Sequence, residues 1–203
     1  MYDKIDVKER IKQSATELFL KNGYKGTSVR DIAAFSKTNP AMVNYYFGSK
    51  YDLFEEIFEE SFELFISRLY PVIESDLPFF DMVERWVDVY YDTLLENPHI
   101  PVFLFNEINQ NPRRLSERLI RNNPEYIVQR LTAGIEAEIK SGRMINMPSA
   151  DVLLNIVSTI VFPFIFGVIA VSLSALDRDD YKRVLSEHRK WVVTFITNAL
   201  RCN

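Results

Sequence analysis

The chain has 203 residues, 47% of them apolar, with 6 glycines and one cysteine. That is long enough for a sizeable core in one or two domains and too apolar for a disordered segment. A net charge of −4 excludes a uniformly basic nucleic-acid binder, and the single Cys202 excludes an internal disulfide and a cysteine metal site.

The charge is unevenly spread. Residues 1–52 carry 9 Lys/Arg against 6 Asp/Glu, and the remainder carries 15 against 22. A basic end on an acidic body suits a DNA reader whose other part does something else. His99 and His188 stand apart, and no Gly-rich phosphate loop, HExxH spacing or GxSxG elbow occurs. Neither catalytic residues nor a metal or cofactor site is expected, so the chain is not read as an enzyme. Residues 1–10 are charged rather than apolar, unlike a signal sequence, which points to the cytoplasm. Strand signals are weak and no Asn-Gly or Asp-Gly hairpin turn occurs, so the expected fold is all-α.

The first helix is expected over 7–21, with Ile11, Ala15, Leu18 and Phe19 as its inner stripe and Asn22-Gly23 as its stop. A second, over 28–35, is capped by Ser28 with Asp31 answering three residues on. After a Ser36-Lys37-Thr38 turn comes a third, with Asn39 as cap and Pro40 in the first-turn slot. Met42, Val43, Tyr46 and Phe47 are its inward bulk. Pro40, Ala41, Asn44 and Tyr45 are left outside. That outer face has no charge, where a merely solvated helix would carry Glu and Lys. Small residues permit close approach to base edges, and an amide bonds adenine bidentately. Arg30, Lys37 and Lys50 flank it. The pattern fits a helix-turn-helix whose second helix enters a major groove, and on pattern alone a generic helical hairpin fits as well.

A long amphipathic helix follows over 49–69, ending before Pro71, with Glu55, Glu56, Glu59, Glu60 and Glu63 mainly on its solvated side. Residues 79–96 form the next, and 99–109 a short apolar segment. Residues 112–121 form a basic helix whose Arg113, Arg114, Arg118 and Arg121 read as a solvated connector or a second DNA contact. Another helix spans 124–141. Residues 152–176 run for 25 positions without a charge, on the order of 38 Å as a helix, enough to cross a bilayer. Asn155, Ser158, Thr159, Ser172 and Ser174 and the lack of a Trp/Tyr belt favour instead a helix buried on two sides. A membrane-anchored regulator stays open as the alternative. The last helix, over 178–200, carries Trp191 and Phe195, anchors of the sort interfaces favour. His188 reads as a structural hydrogen-bonder or a switch.

Residues 7–53 resemble the DNA-binding domain of the tetracycline-repressor-like (TetR) family. The matching residues are Ala15, Leu18 and Phe19, Gly23-Tyr24, the run from Thr27 to Ala33, Tyr45-Tyr46-Phe47-Gly48-Ser49-Lys50, and Leu53. The family's common Ala-Gly-Val turn is replaced by Ser36-Lys37-Thr38, and its Tyr-x-His-Phe by Asn44-Tyr45-Tyr46-Phe47. The resemblance implies a three-helix DNA-binding domain over 1–50 and a helical ligand-binding and dimerisation domain over 51–203, about nine helices. It implies a one-component, ligand-responsive transcriptional regulator, most simply a repressor, reading a palindromic double-stranded operator as a homodimer. The long fourth helix would carry ligand binding to the DNA reader.

Residue by residue, Arg30, Ala41, Asn44 and Tyr45 are expected at bases, and Ser28, Lys37, Asn39, Tyr46 and Lys50 at phosphates. Pro40 lies on the same outer face. Dimerisation is expected through 152–176 and 178–200. A small apolar or aromatic effector with one polar end is expected among Phe62, Phe65, Trp86, Tyr90, Phe103 and Phe162, with Asn106, Glu107, Asn155 and Thr159 as polar groups.

Overall fold

The computed structural model describes residues 4–110, 113, 117, 124–173 and 177–202. Nine α-helices occupy these residues: α1 Lys4–Asn22, α2 Val29–Phe35, α3 Pro40–Phe47, α4 Lys50–Ile73, α5 Phe79–Glu96, α6 His99–Gln110, α7 Pro124–Lys140, α8 Ser149–Leu173 and α9 Arg178–Leu200. The fold is all-α. An isolated antiparallel bridge joins Met144 to Arg201. The basic segment expected over 112–121 lies outside the described residues apart from 113 and 117.

The chain packs as two units, Met1–Leu64 and Phe65–Asn203. The division falls inside α4, later than the 50/51 boundary expected from the motif. The reason is packing. Leu53, Phe54, Ile57 and Phe58 of α4 are buried, and Phe54 lies against Phe19 and Tyr24 with ring centroids 5.6 and 5.1 Å apart. The first turns of α4 therefore complete the core of the first unit. Lys8 pairs with Glu56 and Lys12 with Glu60, each at 2.7 Å, so part of the expected solvated Glu face ties α4 to α1.

In the second unit, α4 runs four residues past its expected end, through Pro71. A proline there removes one late helical hydrogen bond. The orphan carbonyls beyond it are met by Arg130 of α7, whose Nε donates to Ile73 O (2.5 Å) and Nη2 to Glu74 O (3.0 Å) and Ser75 O (2.6 Å). The core gathers Phe65, Leu69 and Val72 of α4, the inner face of α5, and Val152, Ile156 and Ile160 of α8. Arg189 of α9 reaches Asp88 (3.2 Å) and Asp92 (2.6 Å) of α5. Gly167 leaves room for the Tyr181 ring, whose hydroxyl donates to Pro163 O at 2.8 Å, in the turn where the proline interrupts α8.

Candidate functional site

The helix-turn-helix is built by its caps. Ser28 Oγ accepts from the Asp31 amide (3.2 Å), and the Asp31 carboxylate accepts from the Ser28 amide (2.8 Å), a reciprocal capping box on α2. These bonds hold the Asp31 carboxyl below the usual carboxylate range. Asn39 Oδ1 accepts from the Met42 amide (2.9 Å), with Pro40 behind it at the start of α3. Gly48, at φ 78° and ψ −63°, closes α3 in a tight γ-turn open to glycine, the Ser49 amide donating to Phe47 O (2.9 Å). Between the helices, Ser36 is buried and its hydroxyl donates to Ile32 O (2.7 Å), while Arg10 Nε donates to Ser36 O (2.9 Å). Lys37 sits at φ 54°. That region costs a side chain with a Cβ about 1–2 kcal/mol, which explains why the family places glycine in this turn.

The outer face of α3 is open. Pro40, Ala41 and Asn44 are exposed, and Tyr45 is 76% exposed. Tyr46 is half-buried and packs edge-on to Tyr45, ring centroids 5.2 Å apart. Val43 and Phe47 are buried beneath. Arg30 and Lys37 are exposed, and their side chains make no hydrogen bond or ion pair among the described residues. Ser28 and Asn39 are exposed but their side-chain oxygens are committed to caps. Lys50 differs from expectation. Its ammonium is turned inwards, donating to Tyr24 O (2.9 Å) and Thr27 O (2.8 Å) beneath the Tyr24 ring, 4.1 Å from the centroid. These bonds commit two of the ammonium's three donors to the protein itself.

The residues expected to hold an effector do not form one group. Phe62 belongs to the first unit and stacks on Phe58, centroids 5.9 Å apart. Phe65, Trp86 and Tyr90 are buried together in the second unit, Phe65 and Tyr90 edge-on at 5.0 Å. Burial pushes the Tyr90 hydroxyl well above its ordinary range. Trp86 Nε1 and the hydroxyl of neighbouring Tyr91 are buried without a hydrogen-bond partner. Phe103 of α6 is fully buried. The Asn106 and Glu107 side chains lie outside the described residues. Asn155 and Phe162 stand on the exposed side of α8, and Thr159, half-buried, donates back to Asn155 O at 2.7 Å. The side of α8 that carries Asn155 and Phe162 is an outer face in one chain.

Sequence reasoning missed a groove of about 600 Å³ between the end of α4, the start of α5 and α7. Ile73, Leu77, Phe79 and Met82 line it on one side, Tyr126, Arg130, Gly134 and Glu138 on the other. Arg143 holds the Glu138 carboxyl below its usual range through paired hydrogen bonds of 2.8 Å. Small residues at Ala133, Gly134 and Ala137 on one side of α7 were the available signal.

The outer side of α8 and α9 is strongly apolar. Leu154, Val157, Phe162, Ile169 and Leu173 of α8 are exposed, as are Val184, Trp191 (61%) and Phe195 (64%) of α9. Ile196 of α9 is buried within its own chain. Residues 149–167 are long and apolar enough to cross a membrane, by length and composition.

Residues 11–57 match the family model of bacterial regulatory proteins, tetR family. The match spans α1, the helix-turn-helix and the first turns of α4, the stretch whose caps and core are described above. The chain carries the DNA-binding domain of the TetR family of bacterial regulators. It is 26% identical to the probable HTH-type transcriptional regulator YttP of Bacillus subtilis over 80% of this chain and 79% of that protein. It is 30% identical to the HTH-type transcriptional repressor Rv3405c of Mycobacterium tuberculosis over 60% of this chain and 61% of the other. The TetR fold is shared with FadR of Bacillus subtilis, solved in complex with stearoyl-CoA, at a TM-score of 0.64 and 18% identity over 94% and 98% of the two chains.

Proposed function

We propose that this TetR-family regulator is a ligand-responsive repressor that reads a near-palindromic operator as a homodimer in the bacterial cytoplasm. The observation that carries the reading is the outer face of α3: Ala41, Asn44 and Tyr45 exposed, uncharged and unshielded, with the unpaired cations Arg30 and Lys37 in the same motif. Asn44 suits an adenine edge, Ala41 permits close approach, and the cations suit phosphates or a guanine edge. Ser28 and Asn39 orient helix N-termini, whose free amides favour phosphate.

The exposed apolar side of α8 and α9 supports the dimer. Its large side chains on two adjacent helices are more than a monomer ordinarily leaves in water. A two-fold axis would pair this face with itself and set half-sites about 34–36 Å apart, or a multiple. The effector is an apolar or aromatic small molecule with one polar end, as stearoyl-CoA on FadR suggests by analogy. It regulates only by binding two states of the protein differently. Gel shifts of the full-length protein on duplexes selected from a random library test the reading. Enrichment of a near-palindrome is expected, and no enrichment over non-specific DNA would overturn it.

A further inference from the structure

Lys50 opens α4, two residues after Gly48 ends the recognition helix. An ammonium has three donors and no acceptor. Here two are met by the carbonyls of Tyr24 and Thr27, and the face of the Tyr24 ring covers the group as well. A phosphate that took either of those two donors would leave a carbonyl of this loop unpaired.

The position of the two carbonyls gives the arrangement its meaning. Thr27 directly precedes the Ser28 cap of α2. It is buried, and its hydroxyl donates to Leu18 O (3.1 Å) and Gly23 O (2.9 Å) at the end of α1. One cation thus joins the α1–α2 loop, the entry to α2 and the first turn of α4. The helix-turn-helix enters at Ser28 and leaves at Gly48, so the bonds of Lys50 span its two ends.

We infer that Lys50 is a positioning residue: it fixes the entry and exit of the helix-turn-helix against each other, so that α2 and α3 meet DNA preformed, and it does not itself hold a phosphate. Burial lowers the pKa of the ammonium, as expected of a charge drawn away from water. Tyr24 serves twice in the staple, through its carbonyl and its ring. The inference rests on the DNA-reading proposal above.

The test uses the full-length wild type, Lys50→Met and Lys50→Arg, with a duplex that the wild type enriches from a random library. Melting of the free protein and DNA affinity over a range of salt are measured, each variant well below its own melting point. A phosphate contact contributes about 0.9 to the slope of log affinity against log salt. Lys50→Met is expected to keep the wild-type slope, to melt lower, and to lose about tenfold in affinity at every salt, as when the competent arrangement falls to about a tenth of the population. Lys50→Arg keeps the charge but replaces the compact head by a planar fork, and is expected to lose affinity likewise. A slope shallower by about 0.9 in Lys50→Met, with affinity retained by Lys50→Arg, would overturn the inference in favour of a phosphate contact. Unchanged melting of Lys50→Met overturns the staple without reference to DNA. A wild type that enriches no duplex overturns the DNA-reading proposal, and the positioning role falls with it.

Discussion

Two exposed surfaces of this protein carry few charges, and they differ in everything else. On α3 the exposed residues are small or carry a single polar group: Pro40, Ala41, Asn44, Tyr45. On α8 and α9 they are bulky and apolar: Leu154, Phe162, Ile169, Trp191, Phe195. Solvation explains neither, because a helix that only faces water carries charges there. The difference lies in the partner each suits. A base edge offers donors and acceptors at fixed positions and rewards an amide that can approach closely. A second copy of an apolar face offers only area and shape, and rewards large side chains. In the proposed function the first face reads and the second adheres.

The comparison is broken most severely by placing a charge on the adhesive face. Phe195→Asp would bury an unpaired carboxylate at the centre of the proposed dimer contact, a cost of several kcal/mol. Sedimentation is expected to show a monomer. Operator affinity should fall by roughly 10²–10⁴, because linked half-site contacts reinforce one another by that order. Non-specific binding through the α3 motif should fall far less. A Phe195→Asp dimer with full operator affinity would mean that this face adheres to nothing.

The reading face is broken more selectively. Asn44→Ala removes the amide and little else, since the side chain is exposed and makes no hydrogen bond among the described residues. Discrimination at one or two base pairs should weaken by about 1–3 kcal/mol, with melting and the salt slope unchanged. Equal losses on operator and scrambled duplexes would show that Asn44 does not read sequence.

The two faces were unequally legible before the structure. The helix-turn-helix could be read almost residue by residue because its signals are local. Ser28, Asp31, Asn39, Pro40 and Gly48 each act within three or four positions of themselves. The partners of Lys50 could not be read because they lie 23 and 26 residues away, at carbonyls no sequence pattern marks. On α8 the periodicity showed an apolar helix but not which side would be covered. Asn155 and Phe162, expected at the effector, are exposed in one chain. The groove at Arg130 was invisible for the same reason as Lys50, since Arg130 caps carbonyls 55 to 57 positions away.

The adhesive face depends on α8 and α9 being held in one arrangement, and Gly167 sharpens that point. A Cβ there would lie 2.6 Å from Cε1 of Tyr181. The ring cannot swing aside without losing its bond to Pro163 O. Gly167→Ala is expected to cost about 1–3 kcal/mol by overpacking, lowering the melting point by roughly 3–10 °C. Sedimentation should show weaker dimerisation as the two helices shift. Unchanged melting would mean that the α8–α9 contact is soft enough to absorb a methyl group.

The smallest effect is expected at Lys37, where stability and function should move in opposite directions. At φ 54° a residue with a Cβ is strained, and glycine is not. Lys37→Gly removes about 1–2 kcal/mol of strain and gives back about 0.4–1 kcal/mol through the looser unfolded chain. The variant should therefore melt slightly higher, by about 1–3 °C for a chain of this size. Replacing an exposed lysine that has no partner among the described residues should otherwise leave folding untouched. If the cation holds a phosphate, the same variant binds DNA less tightly, and its salt slope falls by about 0.9. Calorimetry on the free protein and affinity over a salt series separate the two effects. Higher melting with an unchanged slope would remove Lys37 from the reading surface, leaving the strain without a function to account for it.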